Sequence, residues 1–233
     1  MTQSQWSSLL PLPIGSLLPL PIGSHVDNHA HLSLHLHKDP GRDELEHFIH
    51  QCFASVHHAD VYHYLPELLA LHDSHGRLIA AAGLRPASSG PLFLEHYLDE
   101  PLEAAVSRVA GCPLERECMV EVGNLASLSA GSARIMIIAV TWLLATRGLK
   151  WVAFTGATTL INSFQRLGLV PSVLASADPA RLNGQVDQWG TYYAQHPQVF
   201  AGSIGHGFDA LSKAGVFQRL GLPTAFQEAG HAA

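Results

Sequence analysis

Charged residues are scarce in this chain of 233 residues, and basic residues form no cluster. Asp, Glu, Lys and Arg make up 14% of the sequence, and the formal net charge is -6. A nucleic-acid-binding protein needs a basic face that neutralises phosphates. We therefore expect no nucleic-acid partner.

Cysteine and long hydrophobic runs are also scarce. The three cysteines, Cys52, Cys112 and Cys118, form no C-x-x-C pair and cannot all pair within one chain, which favours a reducing, cytoplasmic setting. The longest apolar stretch, 135–145, is interrupted by Thr141 and is far shorter than the roughly 20 residues that span a bilayer as a helix. The apolar N-terminus has no basic region and contains prolines that break helices. We predict neither a signal peptide nor a transmembrane segment.

The hydrophobic content of 47% is sufficient for a sizeable core. The sequence divides into a Pro- and His-rich tail over 1–41, a folded domain over 42–210 and a C-terminal extension over 211–233. The tail contains the octapeptide LLPLPIGS twice, at 9–16 and 17–24. Its proline spacing favours extended, polyproline-like chain, either as a tolerated tail or as a docking arm for a partner.

Histidine is abundant, with 16 residues concentrated between positions 25 and 75. His29 and His31 are two apart, which would place both imidazoles on one face of a strand. Such a pair could belong to a metal site or could simply lie on the surface or in the core. Since no cysteine or carboxylate completes a ligand set, we predict no metal site.

Periodicity and turn residues divide the first half of the domain into short elements. Asp43 is a plausible N-cap for a helix that reaches about Ser55. The pattern then predicts strands over 68–72 and 77–84 joined by an SHGR turn, an amphipathic segment over 92–98 and a helix over 99–109.

The second half has a clearer pattern, and its alternation around Val120 and Val122 predicts a strand. A loop of small residues follows, and then a helix that is apolar almost all round, which must be buried. We predict a loop over 127–132, a helix over 133–146 between Ser132 as N-cap and Gly148 as C-cap, a strand over 151–156, and a helix over 158–167 ended by Gly168. This is a βαβα unit, and a right-handed crossover makes its two strands parallel.

The loop over 127–132 leads into the N-terminus of the buried helix. Free main-chain N–H groups and the helix dipole make such a place suitable for a phosphate. The loop lacks the P-loop and dinucleotide-binding patterns, so simple helix entry is the alternative.

Glu121 is the only ionisable residue in the apolar central strand. Burial of a carboxylate is costly, so Glu121 should pair with a cation such as Arg85 or Arg134, or have a raised pKa suited to general-base chemistry. Asn124 at the end of the same strand offers a donor and an acceptor near a substrate, or serves as a turn residue.

Several segments together resemble the thermostable hemolysin family, over roughly 48–208. The segments are VEVGNLAS at 120–127, WVAFTGATTLINSFQRLGL at 151–169, WGTYY at 189–193, LFLEHYLD at 92–99 and ADPARL at 177–182.

That family is similar to GCN5-related N-acetyltransferases (GNATs), and to acyl-homoserine-lactone and N-acyl-amino-acid synthases. The resemblance implies a GNAT-like α/β fold, a three-layer α/β/α sandwich with a mixed central sheet. It also implies that the strand over 119–124 splays from the strand over 151–155 and admits the pantetheine arm of an acyl donor. The loop over 127–132 would then hold the pyrophosphate of acyl-CoA or the phosphopantetheine of an acyl carrier protein.

The resemblance also suggests roles for individual residues. Glu121 matches the acidic residue of the E-x-S-R motif in the lactone synthases, and would activate the amine that accepts the acyl group. Gly123 and Asn124 replace the serine and arginine of that motif, which argues against a homoserine lactone product. Phe164 stands where many acetyltransferases have a tyrosine that protonates the leaving thiolate.

The function implied is transfer of a fatty acyl group from acyl-CoA or an acyl carrier protein to a small-molecule amine, with no permanently bound cofactor. The alternatives are a non-catalytic acyl-ligand or partner-binding protein of the same fold, and a membrane-active hemolysin. The expected catalytic residues are Glu121 and Asn124; the donor-binding residues are Leu125, Ser127, Ser129, Ala130, Gly131, Ser132, Ala133 and Asn162; the substrate-binding residues are Arg85, Glu95, Phe154 and Phe164.

Overall fold

The fold is built on a mixed eight-stranded sheet with helices on both faces, in a computed structural model that describes residues 18–23, 29–182, 184 and 186–223. The strand order is β1-β2-β3-β4-β5-β6-β8-β7. The strands are β1 (Leu20–Ile22), β2 (Ala30–His35), β3 (Glu67–His72), β4 (Leu78–Pro86), β5 (Met119–Ser127), β6 (Trp151–Gly156), β7 (Ser172–Ser176) and β8 (Gln198–Ser203). The helices are α1 (Arg42–His57), α2 (Leu102–Ala110), α3 (Ala130–Thr146), α4 (Thr158–Arg166), α5 (Ile204–Lys213) and α6 (Val216–Arg219).

Strand direction matches the expected α/β class. Neighbouring strands are antiparallel except β5 and β6, which are parallel and are connected through α3. The predicted βαβα unit and the α/β class with a mixed central sheet are therefore confirmed.

One face of the sheet is covered by α3 to α6. The apolar side chains of α3 lie between this face, which includes Leu84 and Val120, and the helices α5 and α6. Trp142 is fully buried, and its indole N–H donates to the carbonyl of Pro223 at 2.8 Å. The sequence correctly predicts a buried helix, because a helix enclosed on all sides needs no polar face.

The opposite face is covered in two parts. Leu45 and Ile49 of α1 pack on Leu68 and Ala70 of β3. Further along the sheet, α2 and a 3₁₀ helix over Phe93–Tyr97 cover β5, β6 and β8. The segment between α1 and β3 and the 3₁₀ helices over 186–189 and 192–195 lie between these two parts, close to where β5 and β6 diverge.

The folded part of the chain extends beyond both predicted domain boundaries, 42 and 210. β2 pairs with β3 along its length, and Leu32 within it is fully buried. After the predicted C-terminal boundary, Leu211 and Phe217 are also fully buried in the core around α3. The first octapeptide of the tail lies outside the described residues, whereas Leu20–Ile22 of the second forms strand β1, where we predicted polyproline-like chain.

Three helix starts differ from the prediction because local capping was misread. The N-cap of α1 is Gly41 at φ +82°, and Asp43 lies within the first turn. α2 begins at Leu102, after Pro101 at its N-cap, since the residues before a proline disfavour helix. The N-cap of α3 is Ser129, three residues before the predicted Ser132.

Within the described parts of the chain, no helix is both apolar and long enough to cross a bilayer.

Candidate active site

The strands β5 and β6 separate partway along their length. They pair from Met119 and Trp151 as far as Val122 and Phe154, and no further. Beyond that point β5 continues to Ser127, so its edge toward β6 has no strand opposite it.

A bulge in β5 coincides with this separation. Gly123 and Ala126 are opposite Gly83 and Ala81 of β4, so two residues of β5 stand opposite one of β4. One of these two residues is Asn124, whose φ of +50° lies in the left-handed region. A bulge bends its strand, and here the bend accompanies the departure of β5 from β6.

A cleft of about 860 Å³ opens where the strands part. Glu121 and the bulge residues line it, together with side chains from α3, α4 and α5. Of the expected site residues, the structure brings Glu121, Asn124, Leu125, Ser127, Ala130, Ala133, Phe154 and Phe164 to the cleft; Arg85, Glu95, Ser129, Gly131, Ser132 and Asn162 are outside its lining.

Glu121 is buried, with 5% of its surface exposed, and is held by main chain. Its Oε2 accepts the N–H of Phe93 at 2.9 Å, and its Oε1 accepts the N–H of Leu94 at 2.9 Å. Both donors belong to the first turn of the 3₁₀ helix over 93–97, where the N–H groups have no partner within the helix. The carboxylate is thereby fixed in place while it lines the cleft.

Burial raises the pKa of Glu121, and the two main-chain hydrogen bonds and the nearby charge of Arg85 oppose that rise. Arg85 is the cross-strand partner of Glu121 on β4. No ion pair within 4.0 Å joins Glu121 to a described cation, so the expected salt bridge to Arg85 or Arg134 is not formed. A buried carboxylate with a raised pKa and no ion-pair partner is suited to accept a proton.

Asn124 holds the chain segment that precedes β3. Its Oδ1 accepts the N–H of Leu65 at 2.9 Å, and its Nδ2 donates to the carbonyl of His63 at 3.0 Å. Both polar groups of the amide therefore contact main chain. This arrangement suits a positioning role for Asn124 at the wall of the cleft.

Glu95 takes part in a partly buried network, and it does not line the cleft. Arg116 binds both of its oxygens, at 2.5 and 2.8 Å, and the N–H groups of Leu92 and Leu102 donate to it. Burial raises the pKa of Glu95, but these contacts outweigh it and bring the pKa to about 2. Glu95 anchors the 3₁₀ helix whose N–H groups hold Glu121.

The start of α3 lies at the cleft, but two of its serines are already engaged. Ser129 Oγ accepts the N–H of Ser132 at 3.1 Å, and Ser132 Oγ accepts the N–H of Ser129 at 3.2 Å. This reciprocal cap leaves the N–H groups of Ala130 and Gly131, the first two helical residues, for an anion.

Phe154 and Phe164 stack on each other inside the cleft, with ring centroids 4.8 Å apart and planes 5° apart. Phe164 lies on α4. The predicted donor-binding residue Asn162 lies outside the cleft lining, whereas the adjacent Ser163, which was not predicted, lies within it.

Sequence reasoning missed a group of aromatic side chains around Glu121, which we call the aromatic wall. It consists of Phe53, His57, Phe93, Tyr97, Trp189 and Tyr192, all of which line the cleft. The WGTYY motif was noted only as part of the family resemblance; its concentration of aromatic residues in a polar region was the available signal.

In the described segments, no three His, Cys, Asp or Glu side chains lie close enough together to hold a metal ion.

Comparison with known proteins gives a family and a fold. Residues 35–208 match the family model described as thermostable hemolysin. No curated protein sequence matches the chain significantly.

Among solved structures, the chain is similar to TofI in an apo form, with 16% identity and a TM-score of 0.55 over 78% of this chain and 95% of that one. It is similar to FeeM, an N-acyl amino acid synthase from uncultured soil microbes, with 12% identity and a TM-score of 0.52 over 79% and 96%. It is also similar to BjaI, a CoA-dependent acyl-homoserine lactone synthase, with 18% identity and a TM-score of 0.52 over 78% and 85%. At these identities the likeness concerns the fold.

Proposed function

This chain belongs to the thermostable hemolysin family, and from that membership and the geometry of its cleft we propose that it is an acyltransferase. It would move a fatty acyl group from a thioester, on coenzyme A or an acyl carrier protein, to a small amine. The observation that carries the proposal is the end of β5–β6 pairing at Val122 and Phe154, with a cleft of about 860 Å³ beyond it.

The cleft has the two chemical ends that a thioester donor needs. At one end lie the first N–H groups of α3, which suit the phosphate of the donor. On the α3 side of the sheet, the cleft is lined by apolar side chains that suit an acyl chain, including Met136, Ile137 and Leu160. The thioester itself would lie between these ends, beside the unpaired edge of β5.

In the proposed reaction, Glu121 receives the proton of the amine. The amine nitrogen forms a bond to the thioester carbonyl carbon, and the C–S bond breaks with its electron pair going to sulfur. The proton lost by nitrogen passes through Glu121 and water to the thiolate, which leaves as the free thiol. Main-chain N–H groups on the unpaired edge of β5 would stabilise the negative charge on the carbonyl oxygen.

Phe164 lines the cleft at the position where many acetyltransferases have a tyrosine that protonates the leaving thiolate. A thiolate is a good leaving group near neutral pH, so the reaction has less need of an acid at that point. Positioning of donor and acceptor in the cleft would supply most of the rate enhancement.

A thiol-release assay with palmitoyl-CoA, with and without an added amine, tests the proposal. Amine-dependent release of thiol, with the N-acyl product identified by mass spectrometry, is the expected result. Binding of palmitoyl-CoA without turnover would instead indicate the non-catalytic binder. Leakage of dye from phospholipid vesicles with no acyl donor present would indicate the membrane-active hemolysin.

A further inference from the structure

The acceptor side of the cleft has its own chemistry, distinct from that of the donor side. Resting on the function proposed above, we propose that the acceptor is an arylalkyl amine without a carboxylate, bound between Glu121 and the aromatic wall. Three observations support this inference: the geometry of the rings, the hydrogen bond that joins Phe93 to Glu121, and the charges that line the cleft.

Phe93 connects the aromatic wall directly to Glu121. Its N–H donates to the carboxylate, while its ring centroid lies 5.5 Å from Trp189 and 5.4 Å from His63. An ammonium or amine that contacts Glu121 therefore lies within reach of an aromatic face.

The wall continues away from Glu121. The ring centroids of Trp189 and Tyr192 are 5.4 Å apart, and Tyr192 meets His57 edge to face at 5.2 Å. Trp189 and Tyr192 are half-buried, so part of each remains accessible from the cleft. Spacings of this kind favour stacked and edge-to-face packing with one more ring.

The wall is held in place by specific main-chain contacts. The N–H of Thr191 donates to the carbonyl of His57 at 2.7 Å, and the N–H of Asp60 donates to the carbonyl of Gln188 at 2.7 Å. Tyr97 and Tyr193 share a hydrogen bond through their hydroxyls, which joins the segment over 192–195 to the 3₁₀ helix that holds Glu121. The rings and the carboxylate are thus parts of one assembly.

The charges of the cleft argue against a carboxylate on the acceptor. Among the described residues that line it, Glu121 is the only Asp or Glu, and there is no Lys or Arg. Three histidines line the cleft; burial lowers the pKa of His57 and of His63 and so favours their neutral forms, whereas His206 is exposed on α5. A carboxylate bound here would lose its hydration and lie near the charge of Glu121.

Arg85 is the cation to consider, because its charge lowers the pKa of both Glu121 and His63. It is the cross-strand partner of Glu121 but does not line the cleft. Its Nη2 lies 3.7 Å from the place that a Cβ on Gly90 would occupy, beyond the end of β4.

Matched acceptors test separately whether the acceptor must be aromatic and whether it must lack a carboxylate. Phenethylamine, phenylalanine and 2-cyclohexylethylamine would be compared with palmitoyl-CoA as donor. Phenylalanine differs from phenethylamine by the carboxylate, and 2-cyclohexylethylamine differs by loss of aromaticity. We expect kcat/KM for phenethylamine to exceed that of each of the others by about tenfold. Faster acylation of phenylalanine, lost in Arg85→Ala, would overturn the inference and leave the acyltransferase proposal intact.

Two variants test whether the acceptor binds at the aromatic wall. Trp189→Leu should lower kcat/KM for phenethylamine by about tenfold. Tyr62→Leu is the matched control, because Tyr62 is 67% exposed and does not line the cleft. An equal effect of both variants would contradict the placement of the acceptor.

Binding without donor separates failure of this inference from failure of the proposed function. Isothermal titration at pH 8 should detect phenethylamine binding to the protein and weaker binding of phenylalanine. If no amine is acylated but phenethylamine still binds more tightly than phenylalanine, the proposed class of ligand is supported and the proposed acyl transfer is not. Equal or tighter binding of phenylalanine would overturn the acceptor class.

Discussion

Val122 pairs with Phe154 as the last residue pair between β5 and β6, and the two strands separate beyond it. Glu121 is one residue earlier on β5, and its carboxylate accepts the N–H groups of Phe93 and Leu94 in the 3₁₀ helix over 93–97. The carboxylate is therefore fixed at the base of the opening between the strands.

The replacement Glu121→Gln removes the group that would accept the proton of the amine. We expect amine-dependent turnover to fall roughly 100-fold or more, the usual range for loss of a general base. Because burial raises the pKa of Glu121, kcat/KM of the parent protein should rise with pH through a value above the usual carboxyl range. The variant should lose this limb of the pH profile.

This variant also needs a stability control. A carboxamide would place an NH₂ group against one of the two main-chain donors, at a cost of about 1–3 kcal/mol. Urea denaturation measures that cost, and calorimetric binding of a non-reactive thioether analogue of palmitoyl-CoA shows whether the donor site survives. Parental turnover in a folded variant would remove Glu121 from the mechanism.

Asn124 combines a left-handed backbone with two side-chain hydrogen bonds, and two variants separate these features. Asn124→Gly keeps the φ of +50° without strain but loses the bonds to Leu65 and His63. Asn124→Ala loses the same bonds and adds roughly 1 kcal/mol of backbone strain. By urea denaturation, both should be less stable than the parent, and the alanine variant should be the less stable of the two. A glycine variant as stable as the parent would show that the two bonds contribute nothing.

Glu95 should make stability depend on pH in the acidic range. Its pKa of about 2 lies below the usual carboxyl value, so its stabilising contribution is present above the unfolded-state pKa near 4.5 and is lost as pH falls toward 2. Denaturation of the parent and of Glu95→Gln at several pH values measures this. The difference in free energy of unfolding between them should shrink as pH falls through that window. A difference that stays constant would contradict the role of the Arg116 contact.

Gly207 on α5 should limit the room available to the acyl chain. A Cβ there would lie 3.5 Å from both Leu169 and Thr141, so Gly207→Ala fits but narrows the cleft. We expect the preferred acyl-CoA to become shorter, measured as kcat/KM over a series of chain lengths. Gly205→Ala is the matched control on the same helix, since Gly205 is exposed and lies outside the cleft lining. Both variants gain up to about 1 kcal/mol of helix propensity. If both prefer a shorter acyl chain, narrowing of the cleft by the methyl group at position 207 is not the cause.

The sequence predicts the elements whose signals are local. The bounds of β6 follow from a short-range pattern, and the burial of α3 follows from its apolar character. The C-cap of α3 is Arg147 and not the predicted Gly148, which lies one residue later at φ +72°. The start of α3 was placed three residues late because Ser129 and Ser132 cap each other, and either serine satisfies the local pattern.

The contacts that shape the site join distant parts of the chain. Leu94 is 27 residues from Glu121, and Leu65 is 59 residues from Asn124. Main-chain donors have no residue-specific signature, so sequence reasoning sought a cation for Glu121 instead. Trp189 and Tyr192 were likewise visible as a motif, but their place beside Glu121 depends on the packing of the whole domain.

We propose that the gap between β5 and β6 admits an acyl thioester tail. A crystal structure with the thioether analogue of palmitoyl-CoA tests it most directly. We expect the pantetheine arm to lie between Gly123 and Thr155, with the thioether analogue's carbonyl beside Glu121 and the acyl chain toward α3. An analogue bound elsewhere, with the gap closed by side chains, would contradict it.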